Sequence, residues 1–211
     1  MQFALVVGTG RGCWTEGALM IRKYLALAVF AFVLVSPAAG GAQSSLDSLE
    51  GLGETLFFDT NLSANRTQAC ASCHVPESGF ADPRGMASIG DDGASIGDRN
   101  APTLTYAALT PEFGKDEDGR WHGGQFWEGR ASTLEEQAGG PPLNPIEMGM
   151  PDKAAVVGRL KENADYITAF EALFGPSILE DAERGYDAMT AALASFERTP
   201  QFQPFDSKYD R

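Results

Sequence analysis

The sequence predicts a mostly α-helical chain with long ordered loops, and three observations carry that expectation. Three stretches outside the middle of the chain place apolar residues at helical spacing. Most of the 24 glycines and 12 prolines then fall between or before these stretches, which breaks residues 75–150 into loops. The apolar content of 43% is ordinary for a globular protein, so the helices have a core to build.

The N-terminus comes first. Residues 20–42 read "MIRKYLALAVFAFVLVSPAAGGA". Arg22 and Lys23 form a positive start, Tyr24 to Val35 an apolar stretch, and small residues follow. These are the parts of a secretory signal peptide. The apolar stretch is shorter than the about 20 residues that span a bilayer. Residues 1–19 do not fit the start of such a peptide, so translation is expected to begin at Met20. The mature chain, 43–211, then keeps Cys70 and Cys73 and loses Cys13. Export implies the periplasm, with no membrane attachment once the leader is cleaved. The net charge of -13 argues against a nucleic-acid partner, because phosphates need clustered Lys and Arg.

In the mature part, "LEGLGETLFFD" (Leu49 to Asp59) reads as a short amphipathic helix with serine caps before it. Asp152 to Gly175 reads as two helices broken around Asn163, with Asp152 as cap and Gly175 as stop. Asp181 to Thr199 reads as another, with Met189, Leu193 and Phe196 on one face. Loops as long as 75–150 are usually functional.

Within this frame stands "CASCH", Cys70 to His74. Two cysteines, a two-residue gap and a following histidine form the attachment pattern for c-type haem. Both thiols can bond the porphyrin, and His74 then lies beneath the iron. Zinc would need four ligands, and the chain offers one further histidine, His122, far away. A redox CxxC would need a βαβ setting, which is absent.

The flanking blocks "LGETLFFDTNLSANRTQACASCHVPESGFAD", "RNAPTLTYAAL", "QFWEGRASTLEEQAGGPPLNPIEMG" and "ALASFERT" resemble the N-terminal, cytochrome c-like domain of bacterial di-haem cytochrome c peroxidases. That family includes the methylamine-utilisation di-haem enzyme, which modifies tryptophan in a partner protein. The resemblance runs over roughly residues 48–210. It implies one covalent haem c here, hydrogen peroxide as substrate, and a small electron donor such as a cytochrome c or cupredoxin. His74 matches the proximal ligand, and Trp127 the tryptophan between the two haems. Gln137 and Glu147 match the distal glutamine and the catalytic glutamate, and Pro141 a distal-pocket proline. Asn100 matches a calcium ligand between the haem domains. Taken alone, Glu147 reads as a solvated loop carboxylate, Trp127 as a core aromatic and Asn100 as a turn residue. Glu135 and Glu136 are taken as helix surface.

Many family members place a second histidine on this iron, in a loop reading S-V-G-H. Here the loop reads "MASIGDDGASIGDRN", which puts Asp91 or Asp98 at that position. Neither suits haem iron, so an open or water-bound iron is expected. Met86 or His122 as a sixth ligand would instead make a mono-haem electron carrier. A partner-modifying enzyme of the methylamine-utilisation type is a further alternative. The second haem domain of the family is expected to be missing, which makes the chain a fragment.

Overall fold

The computed structural model describes residues 46–210, so the expectations on residues 1–42 lie outside the described residues. Helix α1 (Leu49–Phe57) opens at Ser48, whose hydroxyl accepts from the Gly51 N–H. It ends two residues before the expected Asp59. There the chain turns into a 3-10 segment, Thr60–Leu62, capped by the Asp59 carboxylate. A one-turn helix, α2 (Cys70–Cys73), follows, and its brevity hid it from helical periodicity.

The long loops are present, but they are not featureless. They hold a two-residue antiparallel pair, β1 (Gly114–Lys115) with β2 (Trp121–His122). They also hold α3 (Leu134–Ala138), whose first turn is capped by the Thr133 hydroxyl. The expected double helix is α4 (Lys153–Leu160) and α5 (Ala164–Phe174), with Asp152 and Asn163 as the two caps. Gly175 stops α5 at φ 101°, a conformation glycine adopts without penalty. The last helix is α6 (Ala182–Glu197).

Helix α6 is the hub, with α1, α3 and α4 packed against it. Met189, Leu193 and Phe196 are buried, as their spacing predicts. Phe57, Phe80, Phe196 and Phe202 meet in one aromatic cluster, with ring centroids 4.1–6.2 Å apart. Each such ring contributes roughly 1.5–3 kcal/mol by leaving water.

Gly53 lies on the buried stripe of α1, between Leu52 and Leu56. Glycine inside a helix costs about 0.5–1 kcal/mol relative to alanine. The reason for it is the crossing with α6. A Cβ at position 53 would stand 2.7 Å from the Ala192 carbonyl carbon and 2.8 Å from the Phe196 Cβ. Gly53→Ala is therefore expected to destabilise the fold by about 1–3 kcal/mol, the usual cost of overpacking, despite better helix propensity. Denaturant unfolding of the two proteins checks this; equal midpoints would contradict it.

Candidate functional site

One cavity of about 820 Å³ opens beside the α1–α6 core. This is toward the upper end of ordinary ligand pockets, roughly 300–1,000 Å³. Cys70, Cys73 and His74 line it, and so do Asn100, Trp127, Gln137, Pro141 and Glu147. Residues spread over almost eighty positions thus face one space.

The CxxCH side is built by α2 and the turn after it. Both cysteines are free and half-buried. Burial, with the charge of nearby Glu197, pushes the Cys70 thiol up to about 12, so it stays protonated. That is a poor metal thiolate but a thiol able to add to a vinyl group. His74 Nδ1 lies 3.0 Å from the Phe80 carbonyl oxygen. That contact places the proton on Nδ1 and leaves Nε2 as a neutral ligand nitrogen. Burial also lowers the His74 pKa, which keeps the ring neutral. Phe80 takes a left-handed φ of 58° to aim this carbonyl. Its ring sits in the aromatic cluster, so the core anchors the strained residue.

A second layer surrounds Cys73. Gln68 Nε2 donates to Cys73 Sγ at 3.0 Å and to the Ile89 carbonyl at 3.1 Å. Arg84 reaches the same sulfur at 3.4 Å and pairs with Asp82 through two nitrogens, at 2.8 and 2.6 Å. Hydrogen bonds from Arg84, against the opposing effect of burial, hold the Asp82 carboxyl down at about 2.

Across the cavity, Gln137 lies on α3, and Pro141 opens the 3-10 turn Pro141–Leu143. Glu147 follows in a loop tied back by Met148 N–H to Pro141 and Gly149 N–H to Asn144. Glu147 is half-buried, not a freely solvated carboxylate. Burial raises its pKa, and Asp98 adds to this, while Arg130 and Asn144 pull the other way. Glu135 instead forms an ion pair with Arg198, and Glu136 accepts from the Ser132 N–H.

The repeated "SIGD" folds onto itself. Ile89 pairs with Ile96, Gly90 N–H donates to Ser95, and Gly97 N–H donates to Ser88. This decides between the two aspartates. Asp91 is buried away from the cavity, accepting from Asn65 N–H at 2.6 Å and from Thr67 Oγ1 at 2.6 Å. Asp98 is exposed and lines the cavity. Met86 is 94% exposed, and His122 sits exposed on β2; neither lines the cavity. Met148, which periodicity could not flag inside a loop, does line it.

One sequence expectation changes. Trp127 is 61% exposed, so it is not a core aromatic. It stands at the cavity wall with Nε1 donating to the Asn100 carbonyl at 3.0 Å. Asn100 spends its amide nitrogen on the carbonyls of Asp82 and Gly85. Calcium takes 6–8 oxygen ligands. No cluster of three or more acidic, His or Cys side chains occurs among the described residues. Both amide bonds leave Asn100 Oδ1 uninvolved, so its calcium role stays what the resemblance implies. The cavity residues fit a covalent haem: two free thiols, a neutral imidazole nitrogen and one large cavity come together.

Glu197 went unnoticed in the sequence. It is four residues after Leu193, so the stripe of α6 already pointed it inward. It is 4% exposed, lines the cavity, and has an unpartnered Oε2. Burial is the main cause that pushes its pKa to about 8. The folded state keeps a proton that the unfolded chain releases above pH 4.5. Its contribution is intact below that pH and is lost as pH rises toward 8. Glu197→Gln should therefore gain thermal stability over wild type between pH 5 and 8.5, with the difference widening as pH rises. A pH-independent difference would contradict this.

The family model described as di-haem cytochrome c peroxidase matches residues 47–211. Methylamine utilization protein MauG of Paracoccus denitrificans is 55% identical over 84% of this chain and 48% of its own length. Cytochrome c peroxidase Ccp of Escherichia coli is 38% identical over 74% of this chain and 30% of its own length. The chain thus spans about half or less of the length of these relatives. The diheme peroxidase BthA of Burkholderia thailandensis superposes with a TM-score of 0.72 at 33% identity, covering 76% of this chain and 40% of that one. The fold is accordingly mostly helical and cytochrome c-like, and the chain belongs to the di-haem cytochrome c peroxidase family.

Proposed function

We propose that this chain is the N-terminal haem domain of a periplasmic oxidoreductase that reduces hydrogen peroxide with electrons from a small redox protein. The observation that carries the proposal is the single cavity shared by Cys70, Cys73 and His74 with Gln137, Glu147 and Trp127. Cys70 and Cys73 would hold haem c through two thioethers, and His74 Nε2 would be its proximal ligand. When bound, the haem supplies an iron that takes up peroxide and passes oxidising equivalents.

The chain's own residues do the rest. Cleaving the O–O bond requires a proton to move from the near oxygen to the leaving one. Glu147 suits this, because it lines the cavity and burial raises its pKa, which makes its carboxylate a better proton acceptor than an exposed one. Gln137 carries a neutral amide that can orient a peroxide without competing for its protons. Trp127 would carry electrons toward a partner, a role its exposure at the wall and its bond to Asn100 support. With Met86 and His122 outside the cavity, the carrier reading loses both of its expected sixth ligands. A partner-modifying oxidation remains a second reading, favoured by the 55% identity to a methylamine utilization protein MauG.

Two measurements test the proposal. Acid–acetone should fail to extract the haem from wild type, because the linkage is covalent. Haem held by a Cys70→Ala, Cys73→Ala double variant should extract. Free release from wild type would overturn the haem c assignment. In stopped-flow mixing of the ferric protein with hydrogen peroxide, Glu147→Gln should slow the Soret change by about 10²-fold or more, the scale of general acid–base catalysis. Glu135→Gln, whose carboxylate faces Arg198, should stay within a few-fold of wild type. The reverse pattern would move the proton-transfer role away from Glu147.

A further inference from the structure

A second, smaller cavity of about 340 Å³ lies on the outer side of Glu147. It shares Phe126, Arg130, Pro141, Asn144 and Glu147 with the main cavity. The residues common to both linings separate the two spaces, and Glu147 is one of them. Glu136 and Gly140 belong to the outer space alone. We propose that this outer cavity is the route by which small uncharged ligands, hydrogen peroxide among them, and protons reach the Glu147 side of the main cavity. The proposal deepens the haem reading above and rests on it.

The wall is built to yield. The Arg130 guanidinium lies 3.4 Å over the Phe126 ring and also pairs with Glu128 at 2.5 Å. The Arg130 and Glu128 side chains are 50% and 41% exposed. Exposed ion pairs contribute only ~0–1 kcal/mol, and exposed side chains change rotamer in picoseconds to nanoseconds. Swinging Arg130 aside therefore costs little and uncovers the Phe126 ring. Phe126 is held by a left-handed backbone (φ 64°) between two left-handed glycines, Gly124 and Gly129. Its ring, not its backbone, is the movable part. The lining is polar through Arg130, Glu136, Asn144 and Glu147, so water can fill the outer space. Glu147 can then take a proton from that water and present it on the inner side.

Gly140 offers a plug. Its backbone is right-handed helical, at φ -77° and ψ -60°, so a side chain is sterically allowed there. A Cβ would sit 3.2 Å from Phe126 Cζ and 3.3 Å from the Gln137 carbonyl oxygen, pressing the ring while the rest of the side chain fills the outer cavity. Gly140→Leu should therefore close the route. Arg130→Ala should open it.

The probes are methyl and n-butyl isocyanide binding to the reduced, haem-loaded full chain. Both are neutral and need no proton, so Glu147 ionisation does not enter. In Gly140→Leu, association should slow by about tenfold or more, and more for n-butyl than for methyl isocyanide. Dissociation should slow by the same factor, because a ligand leaves by the route it enters. The affinity then stays unchanged, which a general distortion of the site would not reproduce. In Arg130→Ala, both rates should rise together. Unchanged rates in both variants would overturn the proposal, since ligands would then use the mouth of the main cavity. A changed affinity at constant association rate would overturn it as well. If wild type binds neither isocyanide, the open-iron reading itself fails and the route falls with it.

Discussion

The contact on which the rest of the structure depends is the crossing of α1 and α6 at Gly53. A methyl group there would enter the backbone of Ala192 and the side chain of Phe196. The absence of that methyl lets the two helices approach closely enough for Leu52, Leu56, Phe57, Leu193 and Phe196 to be buried almost completely. Interiors packed at crystal-like density do not absorb even one methylene without adjustment. The position is thus a steric requirement, and the cost in helix propensity is offset by burial on both sides.

From that crossing the constraint runs to the haem-binding side in short steps. Phe57 and Phe196 hold Phe202 and Phe80 in the aromatic cluster. Phe80 keeps a left-handed backbone that it would not adopt alone. Its carbonyl faces His74 Nδ1 and accepts from the Leu104 N–H as well. The orientation and tautomer of His74 are consequently set by hydrophobic packing, through one carbonyl. Gln68 and Arg84 do for Cys73 what Phe80 does for His74, fixing a sulfur by hydrogen bonds, Gln68 from the cavity wall and Arg84 from outside it.

The opposite wall rests on backbone hydrogen bonds more than on burial. The loop carrying Glu147 is closed on itself, and the self-paired "SIGD" hairpin leans on it. Asp91 N–H donates to the Glu147 carbonyl at 2.7 Å, and a Cβ on Gly90 would stand 2.6 Å from the Ile146 carbonyl oxygen. Asp91 in turn is fixed by Asn65 and Thr67. Burial alone would raise the Asp91 pKa; hydrogen bonds from Thr67, Ser63 and the backbone hold it low instead. A carboxylate so engaged braces the loop and stays out of the cavity. The two sides of the site thus answer to different physics: one to apolar packing, the other to a hydrogen-bonded loop scaffold.

The sequence by itself determined the parts whose causes are local. Caps at Ser48, Asp152 and Asn163, the stop at Gly175 and the stripe of α6 follow from short-range hydrogen bonding and helical period. The CxxCH chemistry follows from spacing alone, because covalent attachment needs two thiols and a histidine in a fixed order. Tertiary structure decided everything that depends on what lies opposite. Trp127 became a wall residue and not a core one, because the fold leaves 61% of it exposed at the cavity edge. Asp91 and Asp98 parted because the two repeats pair with each other, which no linear alignment can express. Glu197 sits on a stripe that periodicity does reveal, yet its altered proton affinity comes from burial against a cavity that only folding creates. Glu147 differs from Glu135 for the same reason: one carboxylate loses water without a full partner, while the other finds Arg198, 63 residues away. Proton affinity is a property of surroundings, and surroundings are assembled from distant parts of the chain.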